Sequence, residues 1–506
     1  MLREATIAAV LDGGDAALPA VVVPDGPTLT YRRLRELVDE AAARLDAIGV
    51  RPGARVAMAF PNGPEAIVFF LAAAGLATAC PLNPAYTEAE FRFYLEDTGA
   101  RFLLVPPSDG AAVRSAFSSN GTLVEGAIDS DGRLQMTDRT MAAPSLRSHA
   151  MGEEQAASQD SIALVLHTSG TTSRPKRVPL RHRHLLASVR NVVSSYQLTP
   201  DDVSLCVMPL FHVHGLVASV LATLASGGTV VVLRPFTPVS FWPAARSTLP
   251  TWFSASPTPH QLILMRTSHN RPPGTERLRF VRSCSAALPI SLMNQMEERL
   301  GVPVLEAYGM TEASHQMASN PLPPRPRLPG SVGVGTGVEI AILDEAGAVL
   351  PRGTTGEVAI RGSNVMDGYE NNPQANASAF SSGWFRTGDQ GVLDGDEYLR
   401  LLGRIKELIN RGGEKIAPRE IDEALVAHPA VAEAVSFGVP HETWGEVVEA
   451  AVVTRQPVTE RELQNHCRTL LAEFKIPGRI HIVDAIPKTP TGKVQRRFVA
   501  QQFAPS

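Results

Sequence analysis

The sequence predicts an α/β protein with a large N-terminal part of several subdomains and a small α+β C-terminal domain. Three observations predict it. Strand-like and helix-like segments alternate along most of the chain. Its 506 residues exceed what one ordinary core holds. Near residue 403 the pattern changes, from short alternating strands rich in turn residues to a compact mixed unit. The expected domains are therefore 1–403 and 404–506.

The elements follow in order. Residues 31 to 48 set Leu34, Leu37, Val38, Ala41, Ala42 and Leu45 on one helical face, and Arg55 to Phe60 reads as the next strand. The apolar run Ala66 to Leu82 is interrupted by Gly75, Thr78 and Pro81. It is too short to span a bilayer and predicts a buried helix running into a strand. Between about 106 and 160 the composition turns to Ser, Gly, Asp and Gln, which predicts an irregular connection. Ile162 to Leu166 reads as a buried strand, and the proline-rich stretch 321–330 as an extended loop. Beyond 403, strands are expected at Val431 to Phe437 and Val447 to Val453. A helix should follow Thr459, which forms a capping box with Glu462.

Composition excludes several function classes. A formal net charge of −4 gives no global attraction to nucleic acid or anionic membrane. Cys80, Cys206, Cys284 and Cys467 are scattered without a CxxC pair, which argues for a reducing compartment and against a disulfide framework. No secretory core opens the sequence and its last residues are no peroxisomal address, so a cytoplasmic location is expected. Four histidines, His182, His184, His212 and His214, lack the cysteine or carboxylate spacing of a zinc site. No solenoid repeat is present.

The stretch "HTSGTTSRPKRVPL", residues 167 to 180, points to phosphate. Thr168, Ser169, Thr171, Thr172 and Ser173 offer hydroxyl donors, and Gly170 lets backbone approach a ligand closely. Lys176 adds a mobile positive charge. Pro175 stands where a Walker loop has its second glycine, so this is a different phosphate loop.

Together with Thr30 to Leu34, Phe211-His212, Tyr308-Gly309-Met310-Thr311-Glu312, Thr387-Gly388-Asp389, Gly403 to Lys406 and Pro490 to Lys493, this loop resembles the adenylate-forming superfamily of acyl-CoA synthetases, with the stretches in family order. The resemblance implies ATP, magnesium and coenzyme A: a carboxylate and ATP give an acyl-adenylate and pyrophosphate, then a small C-terminal domain rotates and the thiol displaces AMP. It implies that the loop, with Lys176, holds the leaving phosphates. Ser285, Ala286, Glu306, Ala307, Tyr308, Gly309 and Met310 would border the nucleotide, with Tyr308 along the adenine. Thr311 and Glu312 would sit by the phosphates, Glu312 as the magnesium ligand. Asp389 would accept the ribose hydroxyls and Arg404 would assist there. Lys406 matches the hinge and Lys493 the lysine that neutralises charge during attack on the α-phosphorus. Gly412, Gly413 and Glu414 would lie by coenzyme A. Small molecules are the expected partners.

The acid is read from three segments, Phe211 to Gly215, Arg282 to Ala286 and Glu312 to His315. Their histidines and hydroxyls suit a small polar acid better than an acyl tunnel. His212 is expected to gate the pocket, and His214, Ser283, Ser285 and His315 to meet a second carboxylate, whose desolvation costs several kcal/mol unless donors receive it. "PLFHVHGL", "RSCSAAL" and "EASHQMASNPLP" resemble the oxalate–CoA ligase branch of the superfamily. Other short-chain, aryl or fatty acids, a carrier-loading module and a catalytically silent nucleotide binder are the alternatives. Arg177 departs from the family, which has glycine after the loop lysine; if that position needs positive φ, arginine there costs about 1 kcal/mol or more.

Overall fold

The structure is a computed structural model that describes residues 6–117, 121–140, 157–168, 175–234, 236–267, 270–488 and 494–503. Two large sheets form its body. One has nine strands in the order Val334–Gly335, His315–Ser319, Val304–Met310, Phe280–Ser283, Trp252–Ala255, Val203–Cys206, Thr229–Val232, Pro19–Val22 and Thr28–Thr30. The other has seven, and ends in the antiparallel pair Ile162–Thr168 and Lys176–Arg181. A smaller five-stranded sheet includes Gly356–Arg361, Trp384–Leu393 and Leu399–Arg404.

The apolar stretch behaves as its composition requires. Pro64–Leu76 is a helix buried nearly all round, and it shares one hydrophobic core with strands of both large sheets. The strand Thr78–Pro81 follows it directly. The amphipathic helix is Tyr31–Ala47, started by the Thr30 hydroxyl, which accepts from the Arg33 amide at 3.2 Å. Tyr31 is fully buried, and its hydroxyl donates to the carbonyls of Leu224 and Gly228 at 3.0 and 2.7 Å.

The segment expected to be irregular between 106 and 160 is partly regular. It contains the helix Ala111–Ala116 and a hairpin of Thr122–Ile128 with Leu134–Thr140. The hairpin lies at the edge of the seven-stranded sheet, so its outer strand exposes Gln135, Thr137 and Asp138 to water. An edge strand with one wet face has the composition of a loop.

Beyond the five-stranded sheet, the remaining chain builds a core of its own around Ile409, Ile421, Leu425, Val431, Val452 and Leu463. Its strands Val431–His441 and Gly445–Thr454 extend past the expected ends, and Glu460–Arg468 starts with the Thr459–Glu462 capping box. Among the described residues no helix is long and apolar enough to cross a membrane.

Val203–Cys206, Trp252–Ala255, Phe280–Ser283 and Val304–Met310 run parallel within the nine-stranded sheet. Their carboxyl ends open on one side, where sheets of this kind place ligands.

Candidate active site

Arg282 is the penultimate residue of the buried strand Phe280–Ser283 and is itself fully buried. Strand alternation sends it to the same face as Phe280, against Tyr196 from the helix His182–Tyr196. Every partner of its guanidinium is neutral. Nε donates to the Tyr196 hydroxyl at 2.8 Å and Nη1 to Ser254 Oγ at 2.9 Å. Nη2 donates to Nε2 of His315 at 2.9 Å, and Nη1 also approaches Nε2 of His214 at 3.3 Å. Among the described residues no carboxylate pairs with Arg282. A buried cation is costly unless compensated, and among the described residues the compensation here comes from neutral hydrogen-bond partners alone.

The two imidazoles stack at 5.0 Å between centroids. Arginine cannot accept, so the ring nitrogens facing it are unprotonated, and each histidine is the neutral Nδ1–H tautomer. Burial first, and the Arg282 charge second, push both well below the ordinary histidine value. Nδ1 of His214 then donates to Ser285 Oγ at 2.9 Å.

Local backbone explains how these groups converge. His214 opens a π-helix, His214–Leu221, at the carboxyl end of Val203–Cys206, and its amide donates to Nδ1 of His212 at 3.2 Å. Ser285, Ser314 and His315 all take positive φ, at 73°, 52° and 118°. Such backbone persists only when its surroundings hold it. Ser188 donates to the Ser314 carbonyl at 2.8 Å, and the Asn364 amide donates to the carbonyls of Ala313 and Gln316 at 2.8 and 3.1 Å. A side chain on Gly309 would bring its Cβ within 2.2 Å of the His315 carbonyl oxygen.

Of the expected acid-facing residues, His214, Ser285 and His315 come together here. Ser283 does not. Alternation turns it to the opposite face from Arg282, and its buried hydroxyl has no partner among the described residues.

A second group lies around the turn after Val304–Met310. Tyr308 donates its hydroxyl to Asp389, and Arg404 Nε pairs with the same carboxylate at 2.8 Å. Asp389 and Arg404 are register partners on adjacent strands, and Arg404 also donates to the Thr387 carbonyl at 2.9 Å. Thr311 and Glu312 are buried in a single helical turn, Thr311–Ala313. Glu312 Oε1 accepts from the Tyr369 hydroxyl at 2.8 Å, and Lys176 Nζ lies 4.4 Å above the centre of the same ring. Burial lowers the Lys176 ammonium, opposed by Glu312 and reinforced by Lys406. Thr168 and Lys176 pair at the two ends of the segment expected to bind phosphate, while Ser169, Gly170, Thr171, Thr172 and Ser173 lie outside the described residues, as does Lys493.

Glu306 sits on the same strand as Ala307 and Met310 and is buried. It accepts from the Leu288 amide at 3.0 Å and stands 4.0 Å from Arg419, which belongs to the helix Pro418–Val426. Burial pushes it up to about 7. Ala286 lies in the turn beyond Ser285. Lys406 is exposed in the turn Ile405–Glu407 directly after Arg404. Gly412 and Gly413 make the two-residue turn before Glu414, both at positive φ, and the Trp444 ring closes on Gly412.

Arg177 is not strained. It lies in the strand Lys176–Arg181 opposite His167, where extended backbone suits any residue. Its guanidinium donates to the Asp97 carbonyl and pairs with Glu370 at 3.0 Å. His167 and Arg55 close this cluster on Asp97 and Glu370.

No group of three histidine, cysteine or acidic residues able to hold a metal occurs among the described residues. His182 and His184 are buried, with their Nδ1 atoms accepting from the amides of Ile7 and Arg181 at 2.9 and 3.2 Å. Sequence reasoning missed Tyr196, Ser254, Tyr369 and Arg419, and gave Arg282 no role. One signal was available for Arg282: a lone charge inside an otherwise apolar strand.

Comparison with known proteins identifies the family. The chain matches the AMP-binding enzyme family over residues 13–370 and the AMP-binding enzyme C-terminal domain over residues 420–493. It is 48% identical over 492 residues to an oxalate–CoA ligase of Arabidopsis thaliana, covering 94% of this chain and 93% of that one. It is 43% identical over 522 residues to an oxalate–CoA ligase of Saccharomyces cerevisiae, covering 96% and 95%. Among solved structures, ATP-bound MatB from Rhodopseudomonas palustris superposes with a TM-score of 0.86 at 30% identity over 98% of both chains. Matched over residues 13–370 and 420–493 and at 48% identity over most of its length, the chain belongs to the AMP-binding enzyme family.

Proposed function

We propose that the protein is an AMP-forming acid–CoA ligase acting on oxalate. The observation that carries the acid is Arg282, a buried cation without a carboxylate partner among the described residues, set behind two neutral histidines. Oxalate has one carboxylate to react and a second to supply the missing charge. At about 6 Å and an effective dielectric near 20, that pairing contributes about 3 kcal/mol, roughly a hundredfold in preference over a monoanion.

In the first step an oxalate oxygen attacks the α-phosphorus of ATP, the bond to the bridging oxygen breaks, and pyrophosphate leaves. Lys176 and the loop hydroxyls hold the departing phosphates, and Lys493 neutralises charge at the attacked phosphorus. Asp389 and Arg404 hold the ribose side, Tyr308 borders the adenine, and Thr311 stands at the phosphates. Glu312 is a carboxylate beside Lys176, which suits magnesium, an ion that takes one or two carboxylates and completes its shell with phosphate oxygens and water. Magnesium when bound spreads the charge of the leaving pyrophosphate.

In the second step the coenzyme A sulfur attacks the oxalyl carbonyl and AMP departs. The domains divide at 403 and 404, Lys406 is the hinge, and the turn Gly412-Gly413-Glu414 borders the thiol's path. His212 gates the acid pocket. A cytoplasmic location fits the unpaired buried cysteines.

The test is coenzyme A-dependent AMP formation with oxalate, malonate, acetate, octanoate and 4-coumarate. Oxalate should exceed acetate by about a hundredfold in kcat/KM. Preference for octanoate or 4-coumarate would remove oxalate and leave the ligase chemistry standing.

A further inference from the structure

Residues 366 to 370 cross between the two elements that carry Lys176 and Glu312, and the loop is tied to each. The Met366 amide donates to the Glu312 carbonyl at 2.8 Å, and the Glu370 amide donates to the Arg177 carbonyl at 3.1 Å. Between these ties, Tyr369 is pinned by Asn376, which accepts from its amide at 2.7 Å and donates to its carbonyl at 2.9 Å. Its side chain is buried with the ring beneath Lys176 and the hydroxyl on Glu312.

We propose that Tyr369 is a positioning residue that keeps Lys176 and Glu312 from pairing with each other and holds both ready for magnesium-bound ATP. The inference rests on the ligase reading given above. Lys176 and Glu312 attract each other through their opposite charges. Among the described residues Lys176 and Glu312 make no ion pair, and the group that both of them contact is Tyr369. Its face attracts the ammonium without neutralising it, and its hydroxyl orients the carboxylate without carrying charge. A lysine locked to Glu312 would leave the leaving phosphates one cation short and the metal one ligand short. Tyr369 prevents both losses at once.

The test uses the full-length protein with two variants. Tyr369→Phe keeps the ring and removes the hydroxyl; Tyr369→Leu removes both contacts. ATP affinity is measured by calorimetry across a magnesium titration, which requires no acid substrate. Tyr369→Phe should raise the magnesium concentration for half-maximal tightening by about tenfold, the value of a hydrogen bond to a charged group, with magnesium-free ATP affinity unchanged. Tyr369→Leu should add a further loss of about tenfold in magnesium-free ATP affinity. Thioester formation from preformed oxalyl-adenylate should stay within about twofold in both, which a merely structural defect would not allow. Wild-type magnesium dependence in Tyr369→Phe overturns the proposal, as does an equal fall in both half-reactions. Should the leucine variant fail to fold, the phenylalanine variant alone decides. If no acid is turned over by the parent protein while the magnesium dependence shifts as stated, the acid assignment fails and the role of Tyr369 stands.

Discussion

Nη2 of Arg282 donates to Nε2 of His315 across 2.9 Å, and that contact settles the charge of the imidazole. A protonated ring would set N–H against N–H beside a guanidinium. His315 is therefore neutral, and the positive charge of the cluster belongs to Arg282 alone. His214 occupies the parallel position on the other terminal nitrogen.

If Arg282 supplies the charge that selects a dianion, Arg282→Met should lower kcat/KM for oxalate by about a hundredfold and leave acetate within about threefold. ATP binding should not change. Equal losses with both acids would make Arg282 a structural residue.

The backbone of His315 sits at φ 118°, a region favourable only to glycine. Both His315→Ala and His315→Gly should lose the preference for oxalate. The glycine variant should nevertheless unfold at higher urea, by about 1 kcal/mol, because it relieves the strain that alanine retains. Equal midpoints would show that the backbone relaxes on substitution.

The buried histidines give stability a direction with pH. A histidine held below its unfolded value of about 6.5 stabilises the fold above that pH, and the contribution is lost as pH falls toward the folded value. Each such group contributes a slope of up to about 1.4 kcal/mol per pH unit below 6.5. Between pH 6.5 and 5, the urea stability of His315→Gln should fall less steeply than that of the parent by about that amount. Glu306, raised from 4.5 to about 7, acts in the opposite sense, losing stability as pH rises through that window. It is common to both proteins, so the difference isolates His315. Parallel slopes would mean that His315 is charged in the fold.

Arg177 stands between Asp97 and Glu370 and is largely neutralised by them. Arg177→Gly should therefore destabilise the protein by about 1–2 kcal/mol, the range for a partly buried ion cluster, and change KM for ATP by less than about threefold. A large rise in KM for ATP with unchanged stability would instead place its charge on the phosphates.

Lys493→Ala should nearly abolish formation of oxalyl-adenylate and spare thiol transfer from preformed adenylate. The two half-reactions are measured separately by pyrophosphate exchange and by thioester release. Equal loss in both would remove Lys493 from the adenylation step.

Much of the frame was legible in the chain itself. The Thr459 cap, the helical face from Leu34 to Leu45, the buried helix before Thr78 and the strand leading to Thr168 stand where apolar spacing and capping residues put them. The family was legible too, because the motif stretches in their order identify it, and the family matches over residues 13–370 and 420–493 agree. The hairpin between Thr122 and Thr140 was not, since an edge strand wetted on one face has a loop's composition. Nor was the ease of Arg177, whose backbone is set by pairing with His167 and not by its neighbours in sequence.

By itself, then, the sequence determined the elements, their order and the kinds of chemical group available, because helix periodicity, caps and turns act over a few residues. The tertiary structure decided which of those groups lose water together. Arg282 meets Tyr196 from 86 residues away, and Tyr369 meets Glu312 from 57. Burial and charge pairing depend on what lies across the core, so a guanidinium among neutral donors and a phenol in contact with a lysine and a glutamate exist only once the sheets have packed.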